Sequence, residues 1–253
     1  MLSELFWTAL LIMKNLFIYT LVVVVLLGCK NYEDKIYFDY KYRTLLFEGN
    51  VNNKKGKFIF DTGASILYLD STFFVKNFNN LKTLNYKING VGNSSKKIQV
   101  LIDSVVFSKS NFIYSINNVP IIDLKPLGVY NQSGVIGNEL FKNRVIGIDY
   151  IKKRIDVFKI IDLSKDFEAI PFDYLDGKII IPLKVEVNKN LTFNGRFILD
   201  TGSPNTMNLT REVSVLYNLD TIKSKRMYKS SAYGIGGYSE GFDVKIKGIK
   251  TQK

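Results

Sequence analysis

The sequence predicts a mainly β protein built from two similar halves, and three observations point to this fold class. Val and Ile recur in short runs, and the chain carries 15 Tyr and 18 Phe, which are residue types enriched in strands. An apolar triplet followed by Asp-Thr-Gly occurs twice, as FIFDTGAS at 58–65 and FILDTGSP at 197–204. The length of 253 residues, 46% of them hydrophobic, fits one large domain or two small ones.

The N-terminal segment is typical of an export signal. Lys14 supplies a positive start, residues 16–27 form an apolar core, and Gly28 is a small residue suited to cleavage. The apolar core is too short for a spanning helix, so we expect a signal peptide over residues 1–28, with Met13 as a candidate true start. The alternative is a membrane anchor that joins this core to the preceding LFWTALLIM.

The end of this signal, LLGC, resembles the lipobox of bacterial lipoproteins. The resemblance implies that Cys29, the sole cysteine, becomes the acylated first residue of the mature chain. We therefore expect an exported protein that is anchored by lipid to a bacterial membrane in the cell envelope.

The first half of the chain reads as strands that surround the first Asp. A hairpin is predicted to end in Asp61, and an apolar stretch after Gly63 predicts a strand and a short helix. A Gly-punctuated turn follows at 89–95, then alternating strands, then GVIG at 134–137 and a final hairpin that ends near Phe158. A polar, turn-rich segment near 160–177 predicts a boundary, so we assign 29–165 to the first lobe and 166–253 to the second.

The second half repeats the first, with Asp200 placed 139 residues after Asp61. Its hairpin, Asp-Thr-Gly loop, apolar stretch and Gly-rich turn at 233–241 come in the same order. A repeat of this size indicates two lobes rather than a solenoid, whose periods are shorter. The Gly-rich turns lack the G-x-x-x-x-G-K-[ST] spacing of a phosphate loop and are interpreted as structural.

Composition narrows the chemistry available to the chain. It has no His, which excludes Ser-His-Asp and Cys-His catalysis as well as His-ligated zinc. A single Cys excludes an intramolecular disulfide and a thiolate-cluster metal site, so no cofactor and no metal are expected. The net charge of +12 comes without a nucleic-acid recognition motif, and we interpret it as a solvated basic surface rather than a nucleic-acid site.

Two carboxylates held close together can share one proton. Like charges at hydrogen-bond distance resist ionising together, so one pKa rises while the other falls. Such a pair holds an acid and a base at the same pH, and a water between them can attack an amide. Gly63 and Gly202 would let the backbone turn and present N–H groups, while Thr62 and Thr201 could bond across a pseudo-twofold axis. A single Asp-Thr-Gly can also be an ordinary turn.

The two loops resemble the active-site loops of the retropepsin and pepsin clan of aspartic proteases, in a bacterial exported form with both lobes on one chain. The resemblance implies a two-lobed acid-protease barrel, with Asp61 and Asp200 as the catalytic dyad and Ser203 supporting Asp200 by hydrogen bonding. It also implies that GVIG lies beneath the first loop. GVG at 90–92 and GIGG at 234–237 would be flaps that cover a peptide substrate.

The second copy is shorter than the first. An apolar-apolar-Gly element 73 residues after Asp200 would fall beyond Lys253, so we expect an incomplete second lobe. A missing C-terminal segment or a second copy of the chain would complete it. The predicted function is an aspartic-type endopeptidase. The alternative is a catalytically inactive lipoprotein fragment or a binding protein that keeps the fold.

Overall fold

The computed structural model describes residues 32–41, 43–89, 95–125, 131–160, 167–222, 228–234 and 237–251. The predicted signal segment, Cys29 and the GVG turn at 90–92 lie outside these residues. Strands dominate the described chain, so the predicted mainly β fold class is confirmed. Within these residues, no helix has the length and apolar character needed to cross a membrane.

The first half contains thirteen described strands, one α-helix and one 3-10 helix. The strands are β1 (Tyr32–Tyr37), β2 (Asp39–Lys41), β3 (Thr44–Val51), β4 (Lys54–Phe60), β5 (Tyr68–Asp70), β6 (Thr83–Asn89), β7 (Ser95–Leu101), β8 (Val105–Lys109), β9 (Phe112–Ile116), β10 (Val119–Ile122), β11 (Gly134–Ile136), β12 (Val145–Asp149) and β13 (Arg154–Phe158). The helices are α1 (Ser71–Phe78) and a 3-10 helix at Asn138–Phe141. Most of these strands form one large sheet in the order β6-β7-β10-β5-β11-β4-β3-β8-β9, while β1, β13 and β12 form a separate small sheet.

The hairpin β3–β4 delivers Asp61, as the sequence predicts. Its two-residue turn, Asn52 and Asn53, has positive φ at both positions (45° and 63°), the conformation that tight hairpin turns require. Phe58 and Phe60 of β4 are fully buried, and Phe58 packs edge-on against Phe107 with 5.3 Å between ring centroids. Burial of each of these side chains stabilises the fold by about 2–3 kcal/mol, so the strand that ends in Asp61 is held firmly.

The GVIG element lies beneath the first Asp loop, as predicted. Its residues Gly134–Ile136 form β11, which pairs in parallel with β4 in the register Val135 to Ile59. The Ile136 carbonyl then accepts a hydrogen bond from the Asp61 N–H (3.0 Å). A Cβ at Gly134 would collide with the Tyr68 carbonyl oxygen, so only glycine lets β11 fit between β4 and β5.

Helix α1 begins at a strong cap. Asp70 is 5% exposed, and its Oδ1 accepts hydrogen bonds from the N–H groups of Thr72 (2.9 Å) and Phe73 (3.2 Å). Its other oxygen accepts from the Leu124 N–H (3.2 Å). Asp70 therefore joins the helix to the chain that follows β10, because one carboxylate satisfies three backbone donors.

The second half contains six described strands, one α-helix and one 3-10 helix. They are β14 (Asp173–Leu175), β15 (Lys178–Glu186), β16 (Thr192–Ile198), α2 (Arg211–Leu216), a 3-10 helix at Leu219–Thr221, β17 (Tyr228–Gly234), β18 (Gly237–Asp243) and β19 (Gly248–Thr251). Strands β14, β15 and β16 form a sheet in which β19 also pairs with β15, and β17 pairs with β18.

The second half repeats the strand pairing of the first. In the first half β3 pairs with β2, β4 and β8; in the second half β15 pairs with β14, β16 and β19. The hairpin β15–β16 delivers Asp200 as predicted. One detail differs from the sequence prediction: among the described residues no strand stands between the second loop and α2, where β5 stands in the first half.

The two Asp-bearing strands differ in how well they are covered. Strand β4 lies between β3 and β11, whereas among the described residues β16 pairs only with β15. Ile59 is accordingly 5% exposed, while its counterpart Ile198 is 48% exposed. The first half thus offers a more enclosed setting for its Asp than the second.

Candidate active site

The two Asp-Thr-Gly loops meet, although 139 residues separate them in the sequence. The Thr62 N–H donates to Thr201 Oγ1 (3.1 Å), and the Thr201 N–H donates to Thr62 Oγ1 (3.0 Å). Each threonine hydroxyl then donates to the residue that precedes the opposite Asp: Thr62 to the Leu199 carbonyl (2.6 Å) and Thr201 to the Phe60 carbonyl (3.0 Å). These four bonds give the loops the pseudo-twofold arrangement that the sequence suggests.

The glycines hold the two carboxylates close together. A Cβ at Gly63 would lie 2.7 Å from Asp200 Cγ, and a Cβ at Gly202 would collide with Asp61 Cγ. Each glycine therefore lies directly against the opposite carboxyl group. Any side chain at either position would push the two Asp residues apart.

Backbone N–H groups hold each carboxylate in place. The Gly63 N–H donates to Asp61 Oδ1 (2.7 Å), and the Gly202 N–H donates to Asp200 Oδ1 (2.8 Å). Ser203 also contacts Asp200, but through its backbone N–H (2.8 Å), while its hydroxyl accepts hydrogen bonds from Asn205 and Asn208. These contacts fix the direction of both carboxyl groups.

The two carboxyl groups differ electrostatically. Burial, the negative charge of Asp200 and a hydrogen bond with its carboxyl group raise the pKa of Asp61 to about 7, against an ordinary value of 3.8. The N–H groups of Gly63 and Ala64 act in the opposite direction. Asp61 is half-buried and Asp200 is exposed, because β11 covers the first loop from below. The pair therefore retains one proton near neutral pH.

The apolar surroundings of Asp61 include one residue that the sequence pattern did not single out. Tyr68 lies on β5 beside β11, and burial together with the charge of Asp61 raises the pKa of its hydroxyl. Tyr68 packs against a cluster of buried apolar side chains that extends from the first loop to β7. The members of this cluster are Leu46, Ile59, Ala64, Ile98, Val100, Ile122, Leu124 and Val135. No sequence motif marks Tyr68, because strand pairing alone brings it to the site.

Within the described residues, acidic side chains do not gather into a group of three or more that could bind a metal ion. The chemistry offered by this part of the chain is that of two adjacent carboxyl groups, one of which has a raised pKa. Cys29, the predicted lipidation site, lies outside the described residues.

The raised pKa of Asp61 predicts how stability depends on pH. The folded state binds the Asp61 proton more tightly than the unfolded chain, so its contribution to stability is complete below about pH 4 and is lost as the pH rises through about 7. We expect Asp61→Asn to remove this loss, so that the variant gains stability relative to the wild type between about pH 4 and pH 8. Urea unfolding at several pH values measures the difference, with the exposed Asp220→Asn as control. Parallel stability profiles for wild type and Asp61→Asn would contradict the prediction.

The likeness of this chain to known proteins lies among solved structures. No model of a known protein family matches this chain, and no curated protein matches it. Among solved structures, the chain is similar to a retropepsin-like aspartic protease from Rickettsia conorii, at 22% identity over 49% of this chain and 89% of that chain, with a TM-score of 0.32.

Proposed function

We propose that this chain is an aspartic-type endopeptidase that hydrolyses peptide bonds through a water activated by Asp61 and Asp200. The observation that carries the proposal is the pair of interlocked Asp-Thr-Gly loops, in which each glycine lies against the opposite carboxyl group. Two carboxyl groups that share one proton are a recognised arrangement for amide hydrolysis.

The geometry supports a division of roles within the dyad. The ionised carboxylate takes a proton from a water molecule, and the oxygen of that water attacks the carbonyl carbon of the scissile peptide. The protonated carboxyl group, which we assign to Asp61 because it is the more buried of the two, donates its proton to the carbonyl oxygen. As the tetrahedral intermediate collapses, one of its two hydroxyl groups returns a proton to Asp61 and the C–N bond breaks. The proton taken from water passes to the leaving nitrogen, which restores the dyad with its single proton.

The setting of the enzyme is part of the proposal. An acylated Cys29 would anchor the chain to a bacterial membrane on the exported side, with a peptide or protein as substrate. Only residues 30 and 31 separate Cys29 from the start of β1 at Tyr32, so the fold would lie within about 10 Å of the acylated residue. The two lobes would span residues 29–165 and 166–253.

The proposal is tested with a pepsin-type statine inhibitor and a quenched-fluorescence peptide library. We expect cleavage that the inhibitor abolishes. We also expect the rate to fall on both sides of an optimum, because the pair must hold one proton. Inhibitor binding without any cleavage would favour the alternative, a protein that keeps the fold without turnover. Cleavage that is insensitive to the inhibitor would overturn the dyad mechanism.

A further inference from the structure

Asn138 joins the first Asp loop to the other half of the molecule. It begins the 3-10 helix that follows β11, and its side chain is buried with only 8% of the residue exposed. Its amide nitrogen donates to the Thr62 carbonyl (2.7 Å) and to the Gly177 carbonyl (2.9 Å). Both N–H groups of one carboxamide are therefore used, one on each half of the chain.

The contact with Gly177 belongs to a reciprocal arrangement of turns and loops. The turn between β14 and β15 meets the first Asp loop, where the Ser65 hydroxyl donates to the Asp176 carbonyl (2.5 Å). The corresponding turn between β2 and β3 meets the second loop, where the Arg43 guanidinium donates to the Pro204 carbonyl (2.8 Å). Each half thus supports the Asp loop of the other, and at the Asp61 loop Asn138 adds a second bond.

The position of the Thr62 carbonyl determines how Asp61 is held. The Thr62 carbonyl and the Gly63 N–H belong to the same peptide unit, which is planar. Holding the carbonyl oxygen in place therefore fixes the direction of the N–H, which donates to Asp61 Oδ1 at 2.7 Å. The side chain of Thr62 is fixed as well, because its hydroxyl donates a hydrogen bond to the Leu199 carbonyl.

We propose that Asn138 is a positioning residue that orients the Asp61 carboxylate through the Thr62–Gly63 peptide and ties it to the turn at Gly177. This role rests on the proposed peptidase function. A carboxamide suits it because two carbonyl acceptors face the same buried point and require two N–H donors. An aspartate in the same place, once ionised, has no donor and would repel both carbonyl oxygens.

The first test compares Asn138→Asp and Asn138→Ala with the exposed control Asn111→Asp. We expect kcat for the peptide substrate to fall by about 100-fold in both Asn138 variants, since small misplacements of a reacting group have effects of this size. KM is expected to change much less, because Asn138 does not contact substrate in this role. Circular dichroism establishes that each variant is folded, and Asn138→Ala covers the case in which a buried carboxylate prevents folding.

A variant on the opposite side of the contact provides an independent test. Gly177 has φ of +76°, and a Cβ there would lie 2.6 Å from the Cβ of Ser65. Gly177→Ala should therefore move the turn away from the first loop and lower kcat while leaving Asn138 intact. Its effect and that of Asn138→Ala should be less than additive, because both break the same connection.

Carboxyl titration by carbon NMR separates positioning from general loosening of the fold. The titration uses Asn138→Ala, because the new carboxylate of Asn138→Asp would raise the Asp61 pKa by its charge alone. Loss of the carboxamide weakens the Gly63 N–H bond that lowers the Asp61 pKa, so we expect this pKa to rise above the wild-type value by roughly half a unit to one unit. General loosening of the fold would instead expose Asp61 to water and lower its pKa. Asp200 and Tyr68, which also act electrostatically with Asp61, are unchanged in these variants.

The outcomes distinguish the two proposals. Asn138 variants that keep wild-type kcat and an unchanged Asp61 titration would overturn the positioning role, even with the peptidase function intact. A wild-type chain that never cleaves peptide would overturn the proposed function. In that case the titration of Asp61 alone would test the positioning role of Asn138, and an unchanged or lowered Asp61 pKa in the variant would overturn that role.

Discussion

Replacement of Asp61 by Asn is expected to lower kcat for peptide hydrolysis by between about 10² and 10⁴-fold, the range that a positioned acid or base contributes. Asn keeps the shape of the side chain and an oxygen that can accept the Gly63 N–H. It cannot hold the shared proton or release it at the required step. The loss should therefore appear in kcat, with the fold retained.

Asp200→Asn should produce a loss of similar size, because in the proposed mechanism the pair acts as one unit. For the same reason, the double variant should be little worse than either single one. The matched control is Asp220→Asn, an exposed carboxylate in the second half that lies outside the two loops and should leave the rate unchanged. Full activity in either single variant would remove that residue from the mechanism.

Replacement of Thr62 by Val is expected to lower the free energy of unfolding by about 2–4 kcal/mol. Thr62 is 2% exposed, and its hydroxyl donates to the Leu199 carbonyl while accepting from the Thr201 N–H. Val has nearly the same shape as Thr, but it leaves the Leu199 carbonyl and the Thr201 N–H without their hydrogen-bond partner. A buried unsatisfied group costs about 1–3 kcal/mol. Because the bonds cross between the two loops, peptide hydrolysis should be lost as well.

Urea unfolding measures the effect of Thr62→Val against two controls. Thr62→Ser keeps the hydroxyl and should recover most of the stability. Thr192→Val changes an exposed threonine at the start of β16 and should be nearly neutral. Thr62→Val and Thr201→Val should be non-additive, since the two residues bond directly. Equal stability of Thr62→Val and wild type would show that the two loops do not hold each other.

Much of the local structure was predictable because it depends on neighbours in the sequence. The hairpins that deliver Asp61 and Asp200 follow from apolar strand patterns and short polar turns, and both are present. The placement of GVIG beneath the first loop came from a resemblance, and the parallel pairing of β11 with β4 agrees with it. The hairpin-and-loop arrangement that the two halves share could be read from the repeat alone.

Contacts between distant residues were not predictable from these patterns. Nothing near Asn138 or Gly177 in the sequence marks them as partners, because they are 39 residues apart and meet only when the halves pack together. Tyr68 reaches the neighbourhood of Asp61 through strand pairing. Ser203 does hydrogen-bond to Asp200 as expected, but through its backbone N–H. The Ser203 hydroxyl instead accepts a hydrogen bond from Asn208 in the same segment.

The sequence by itself determined that this chain carries two equivalent Asp-Thr-Gly loops, each at the end of an apolar strand. Those features are local, and hydrophobic periodicity and turn chemistry are enough to specify them. Only the tertiary structure decided that the two carboxyl groups are unequal. Strand β11 covers the first loop, so Asp61 is half-buried with a pKa raised to about 7 while Asp200 is exposed. Burial and charge proximity arise from packing between distant segments, which identical local motifs do not encode.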